Sequence, residues 1–105
     1  MLESEFKQRV FGRIRNRLPG CEIVRADTSH QQGMPDNFIL WGPCWASLEF
    51  KSSRTASRRP NQRHYIQKLD DMSFAAFVYP ENEDEVLDAL EQAFRASRGT
   101  RVPQS

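Results

Sequence analysis

"PDNFILWGPCWASLEFKSS", residues 35–53, decides how this chain is read. It holds two apolar runs separated by Gly42-Pro43, a turn dipeptide. In the second run Ala46, Leu48 and Phe50 alternate with Trp45, Ser47, Glu49 and Lys51. A period of two predicts a strand with one core face, the opposite face delivering Glu49 and Lys51 side by side. The first run, "PDNFILW", is apolar on both faces beyond Asn37, which predicts a strand central in its sheet. An antiparallel pair joined at Gly42-Pro43 brings Asp36, at the start of one strand, towards Glu49 and Lys51, near the end of the other.

The flanking segments supply the rest of the fold. Leu2, Phe6, Val10, Ile14 and Leu18 recur every fourth residue with Phe11 beside them, and Pro19-Gly20 follows. That spacing predicts a helix over 2–18, with Lys7, Arg9, Arg13, Arg15 and Arg17 mostly off its apolar stripe. "CEIVRADT", 21–28, reads as a strand and "SHQQG" as a loop. After the polar, basic "SSRTASRR", Pro60 suits the first turn of a helix whose stripe is Tyr65, Ile66, Leu69 and Met72. Gln62 falls on that stripe, and an inward amide needs a partner. "FAAFVY" is a fourth strand ended by Pro80. Asn82 and Glu85 read as a capping box, and Glu81, Glu83, Asp84 and Glu85 complement the dipole of a last helix. Its inner side is Val86, Leu87, Leu90, Ala93, Phe94 and Ser97. The order α-β-β-β-α-β-α predicts an α/β fold: one mixed sheet flanked by helices, a three-strand meander and a crossover to a parallel fourth strand. Residues 1–97 form the domain and 98–105 a flexible tail.

A chain of 105 residues, 38% hydrophobic and 28% charged, supports one small domain with a modest core. Pairing with a second copy would add buried area. No apolar run approaches membrane-spanning length and no signal peptide is visible. Cys21 and Cys44 fit no zinc spacing and no CxxC motif, so reduced thiols in a cytoplasmic setting are expected. The net charge of +1 hides an asymmetry: residues 1–68 hold twelve Lys/Arg against six Asp/Glu, and residues 69–105 hold three against eight. A polyanion-facing front and a merely solvated surface both account for it.

Two carboxylates where the strands meet repel unless a cation lies between them. Mg²⁺ takes carboxylate oxygens, backbone carbonyls and water, and polarises phosphoryl oxygens. Lys51 then offsets charge on the phosphorus. The plainer alternative is a structural ion-pair cluster of Asp36, Glu49 and Lys51. Arg54, Arg58, Arg59, Arg63 and Lys68 flank this stretch and are candidate contacts to DNA phosphates, with salt-sensitive binding expected. A solvated loop is their alternative. His30 and His64 read as loop and surface residues. Trp41, Trp45 and Tyr65 read as packing side chains, and Phe74 and Phe77 as core.

"GMPD", twelve residues, then "EFK" resembles the signature of the PD-(D/E)xK nuclease superfamily. "RPNQRHYIQKL" resembles the Gln-bearing helix of its VRR-NUC and Holliday-junction-resolvase-like branches, whose minimal members are often phage-encoded. The resemblance spans residues 2 to about 95 and implies a restriction-endonuclease-like core. It implies Asp36 and Glu49 as metal ligands with the Phe50 carbonyl as a third, Lys51 as the catalytic lysine, and Gln62 as support from the following helix. An acid on the first helix often completes such sites, Glu5 being the first choice and Glu3 the second. The implied cofactor is Mg²⁺, for which Mn²⁺ can substitute, and the implied products carry a 5′-phosphate and a 3′-hydroxyl. So short a chain leaves no room for a sequence-reading domain. The expectation is therefore a cytoplasmic endonuclease (in the host if phage-encoded) acting on branched DNA such as a four-way junction. A homodimer would place two symmetric cuts. A flap, nicking or single-strand nuclease in replication or repair competes with this. So does a non-catalytic DNA-binding module with a decayed site, against which the intact Asp, Glu, Lys and Gln set argues.

Overall fold

The structure, a computed structural model, describes residues 2–99. Helix α1 (Glu3–Arg17) leads into a meander of β1 (Glu22–Arg25), β2 (Asn37–Trp41) and β3 (Cys44–Phe50). Helix α2 (Gln62–Met72), strand β4 (Phe74–Val78), a 3₁₀ turn (Pro80–Asn82) and helix α3 (Glu83–Gly99) complete the chain. The sheet runs β1-β2-β3-β4. Its first three strands are antiparallel, and β4 is parallel to β3 through the α2 crossover. This is the α/β architecture and element order expected from the sequence. Among the described residues no helix is long and apolar enough to cross a membrane.

The β2–β3 hairpin turns on two residues, with Trp41 opposite Cys44. Gly42 has φ +60°, as the first position of a type II′ turn demands, and Pro43 tolerates the second. Side chains then alternate across β3. Cys44, Ala46, Leu48 and Phe50 enter a core with α1 and α3, where Phe6 and Phe11 meet the Phe50 ring edge-on at 5.9 and 5.3 Å. Trp45 joins a smaller cluster under α2 with Ile66, Leu69 and Ala75. Both faces of the sheet are therefore covered. Glu49 and Lys51 emerge where the cover ends, beside the first turn of α2.

Several local expectations need correction. Leu2 and Met72 sit on their helical stripes yet are 67% and 62% exposed, because each lies at a helix end beyond the reach of the sheet. Ala93 and Ser97 are exposed on α3. Pro60 precedes α2, and the N-cap is Asn61 at φ +70°. Asn82 does not pair with Glu85. Its Oδ1 accepts the Tyr79 N–H and its Nδ2 donates to the Phe77 carbonyl, closing the strand end before α3 begins. Arg98 and Gly99 of the expected tail belong to α3, and the remainder lies outside the described residues. Cys21 and Cys44 are free. Trp41 is a packing residue, stacked on Phe94 and donating Nε1–H to the Pro19 carbonyl.

The charge asymmetry has an internal cause. Glu83, 6% exposed, accepts from Arg9 at 2.5 Å and Arg13 at 2.7 Å. Arg13 also meets Asp84, and Arg17 meets Asp88 and Glu91. Three arginines of the basic front thus neutralise the acidic back across the α1–α3 contact. Arg95 closes the far end by donating to the Arg17 carbonyl, an orphan of the α1 terminus.

Candidate active site

The β2–β3 ladder pairs Asn37 with Leu48. One step further along the same register, Asp36 stands across from Glu49. The β1–β2 ladder also extends one step, since the Ala26 N–H donates to the Asp36 carbonyl at 2.8 Å. Opposed side chains in an antiparallel pair share a face with Cβ atoms about 5 Å apart. Two acids are therefore held together by strand register rather than by a flexible loop.

These residues line a cleft of about 840 Å³. Asp36, Glu49, Phe50, Lys51 and Gln62 all reach it, so the structure brings together β2, the end of β3 and the first turn of α2. Glu3 and Lys7 of α1 line it too, whereas Glu5 does not. Glu5 is exposed, and Glu3 is the acid that α1 presents. The reason is helical phase: Glu3 and Lys7, four residues apart, share one flank of the Phe6 stripe, and Glu5 falls on the other. That flank was legible from spacing; which flank meets the cleft depends on how α1 packs.

Burial pushes the Glu49 carboxyl above the usual carboxylate range, with the charge of Lys51 opposing the rise and those of Asp36 and Glu3 adding to it. Lys51 is itself buried, 8% exposed. Neither Glu49 nor Lys51 takes part in an ion pair among the described residues. Asp36 does, with the exposed Arg25 at 3.4 Å. It also accepts from Asn37 Nδ2 at 3.1 Å. Asn37, 4% exposed, went unnoticed in the sequence because it sits where a strand begins and resembles a turn residue. A structural ion-pair cluster accounts for Asp36 and Arg25. It leaves a half-buried Glu49 and a Lys51 with a buried stem, each without an ion-pair partner among the described residues.

Gln62 has the partner its inward position required. Its Oε1 accepts the Arg59 N–H at 2.9 Å, pinning the basic segment to α2. Arg59 lines the cleft. Arg58 does not: its guanidinium lies 4.5 Å from the Phe77 ring and donates to the Arg54 and Ala56 carbonyls, so it shapes the loop. Lys68 is exposed on α2 and lines neither this cleft nor the neighbouring one. His30 is exposed and outside the cleft wall.

The β1–β2 loop forms the opposite wall, and Gly33 sets its distance from α2. Gly33 has φ +90°, and a Cβ there would meet the Pro60 carbonyl oxygen at 2.6 Å and the Asn61 backbone at 2.7 Å. Both the conformation and the close approach require glycine. Gly33→Ala is expected to cost about 1–3 kcal/mol in urea unfolding and to push Arg59 and Gln62 away from Asp36. If the cleft is catalytic, turnover should fall more than tenfold in the fully folded variant. An alanine variant of wild-type stability would show that the two walls do not touch.

The residues suit a hard divalent cation: two carboxylates from adjacent strands, with Phe50 in the same cleft wall. Among the described residues no group of three or more His, Cys, Asp and Glu is placed to hold a metal. Mg²⁺ needs no such group, since one or two carboxylates hold it while water and substrate complete its shell. Compared with family models, curated proteins and solved structures, the chain matches none.

Proposed function

We propose that this chain is a divalent-metal-dependent endodeoxyribonuclease that hydrolyses phosphodiester bonds. The observation that carries the reading is the convergence of Asp36, Glu49, Lys51 and Gln62 from three separate elements on one cleft. Asp36 and Glu49, with the Phe50 carbonyl, would hold Mg²⁺ or Mn²⁺. The ion would supply charge neutralisation at the phosphoryl oxygen and a more acidic water. In the overall reaction water adds to phosphorus, the P–O3′ bond breaks and the 3′ oxygen takes up a proton.

The chain's own groups do the rest. The Lys51 ammonium, carried on a buried stem beside Glu49, meets the extra negative charge that grows on the phosphoryl oxygens. Asn37 fixes the Asp36 carboxylate. Gln62 is a positioning residue: it holds Arg59 at the cleft mouth through the main chain. Arg59 then orients a substrate phosphate. Glu3 and Lys7 border the site from α1.

Glu49→Gln tests this with two readouts of opposite sign. A carboxyl whose pKa is raised on folding holds its proton more tightly in the folded state. Wild-type stability therefore falls as pH rises from the ordinary glutamate value, about 4.3, through the raised one. Above that window Glu49→Gln should melt higher than wild type in the absence of metal, and the difference should vanish at lower pH. Mg²⁺ should raise the wild-type Tm and leave the variant's unchanged, and cleavage should drop at least about 10²-fold in the variant. Undiminished cleavage, or a Mg²⁺ shift that survives the substitution, would sink the reading.

The substrate we propose is branched DNA, such as a four-way junction, cut by a homodimer whose two-fold axis places paired incisions. Linear duplex, flap, single-stranded and four-way substrates compared side by side test this. Equal cutting of linear and four-way DNA rejects junction selectivity and leaves the hydrolytic centre standing.

A further inference from the structure

A second cleft, of about 760 Å³, opens beside the first between the β3–α2 segment and the start of α2. Arg54, Arg58, Arg59 and Arg63 line it, with no Asp or Glu in its wall. Of the other described arginines, Arg9, Arg13, Arg17, Arg25 and Arg95 have carboxylate partners, while Arg15 has no ion pair among the described residues and lines neither cleft. Arg54, Arg59 and Arg63 take part in no ion pair among the described residues. One acid, Glu81, accepts the Arg54 backbone N–H at 3.3 Å and lies outside the cleft wall. Guanidinium groups gathered without counter-charge repel one another, and an anion relieves that repulsion.

The segment that carries them is shaped by the chain itself. Arg58 is stacked on Phe77 and bonded to the carbonyls of Arg54 and Ala56, and Gln62 holds Arg59. Arg59 lines both clefts, so a ligand spanning them passes directly over it.

We propose that this second cleft is a phosphate subsite, in which Arg54, Arg59 and Arg63 hold the backbone of the DNA strand on one side of the bond to be cut. The assignment of the cut itself rests on the nuclease reading of the first cleft. A phosphodiester chain is the ligand that matches both halves: guanidinium forks pair with phosphate oxygens, and the neighbouring cleft holds groups suited to phosphoryl chemistry. The contacts are to backbone, so they fix where the strand lies without reading its bases. Arg58 is a positioning residue here and meets no phosphate.

Binding of a fluorescent DNA oligonucleotide by the full chain, titrated over a salt series, tests the subsite. The Asp36→Asn background prevents cleavage during the measurement. Adding Arg54→Ala and Arg63→Ala should reduce the slope of log K against log salt by about 1–2. Affinity at low salt should weaken at least tenfold. An unchanged slope overturns the proposal, as does displacement of the DNA by a polyglutamate peptide as readily as by unlabelled oligonucleotide. A second measurement needs no variant fold: single methylphosphonates, which remove one phosphate charge at a time, should slow wild-type cleavage at positions on one side of the cut. Interference on both sides equally, or on neither, contradicts a one-sided subsite. Arginine-dependent DNA binding by a wild-type protein that cuts nothing would retire the nuclease reading and leave the phosphate subsite standing. Cleavage with an arginine-independent slope would do the reverse.

Discussion

Lys51→Ala is expected to cut DNA about 10²–10³-fold more slowly than wild type, the loss seen when one preorganised donor to a developing oxyanion is removed. Lys51 is 8% exposed, its N–H is bonded to the Val78 carbonyl at 2.8 Å, and its ammonium has no ion-pair partner among the described residues. With no ion pair to lose, the variant should still fold, its stability cost limited to the packing of the buried lysine stem, about 1–2 kcal/mol. The defect should fall on the single-turnover rate, with DNA affinity changed by less than about tenfold. Lys51→Arg should not restore the rate, because the planar guanidinium fork cannot take the place of a compact ammonium. Cleavage within tenfold of wild type in the alanine variant would make Lys51 a structural residue and remove it from the proposed site.

Replacing Arg9 and Arg13 together by Met should cost about 3–5 kcal/mol, because the apolar stems keep water from Glu83 while the carboxylate loses both partners. For a domain of this size that lowers Tm by more than about 10 °C. Glu83→Gln should cost less, about 1–3 kcal/mol. The asymmetry follows from exposure: the Arg9 and Arg13 side chains are 43% and 34% exposed and can rehydrate, while that of Glu83 is 8% exposed and cannot. Urea unfolding of the three proteins checks the order, and a Gln variant less stable than the double Met variant would contradict it. Since α1 also carries Glu3 and Lys7 to the cleft, the double variant should lose part of its activity even below its melting temperature.

The fold was legible because its signals are local. Alternation in 45–51 and the three helical stripes follow from periods of two and 3.6, the Gly-Pro turn from its residue types, and the element order follows from them. The opposition of Asp36 and Glu49 was legible too, because a two-residue turn leaves a hairpin little choice of register. Gln62 announced itself as a polar group on an apolar stripe.

The groups around that core of the site come from contacts between distant segments. Glu83 looked like a dipole-complementing acid of a first turn and is the buried anchor of α1, bonded to Arg9 and Arg13 at sequence separations of 74 and 70. That pairing consumes much of the charge asymmetry that composition displayed. Glu3 in place of Glu5, Arg58 turned onto Phe77, and Gly33 against Pro60 and Asn61 have the same origin. A residue's face on its own helix or strand is a matter of local geometry. The surface that face meets depends on how whole elements dock, and docking is driven by non-directional apolar burial to which no single residue type is a guide.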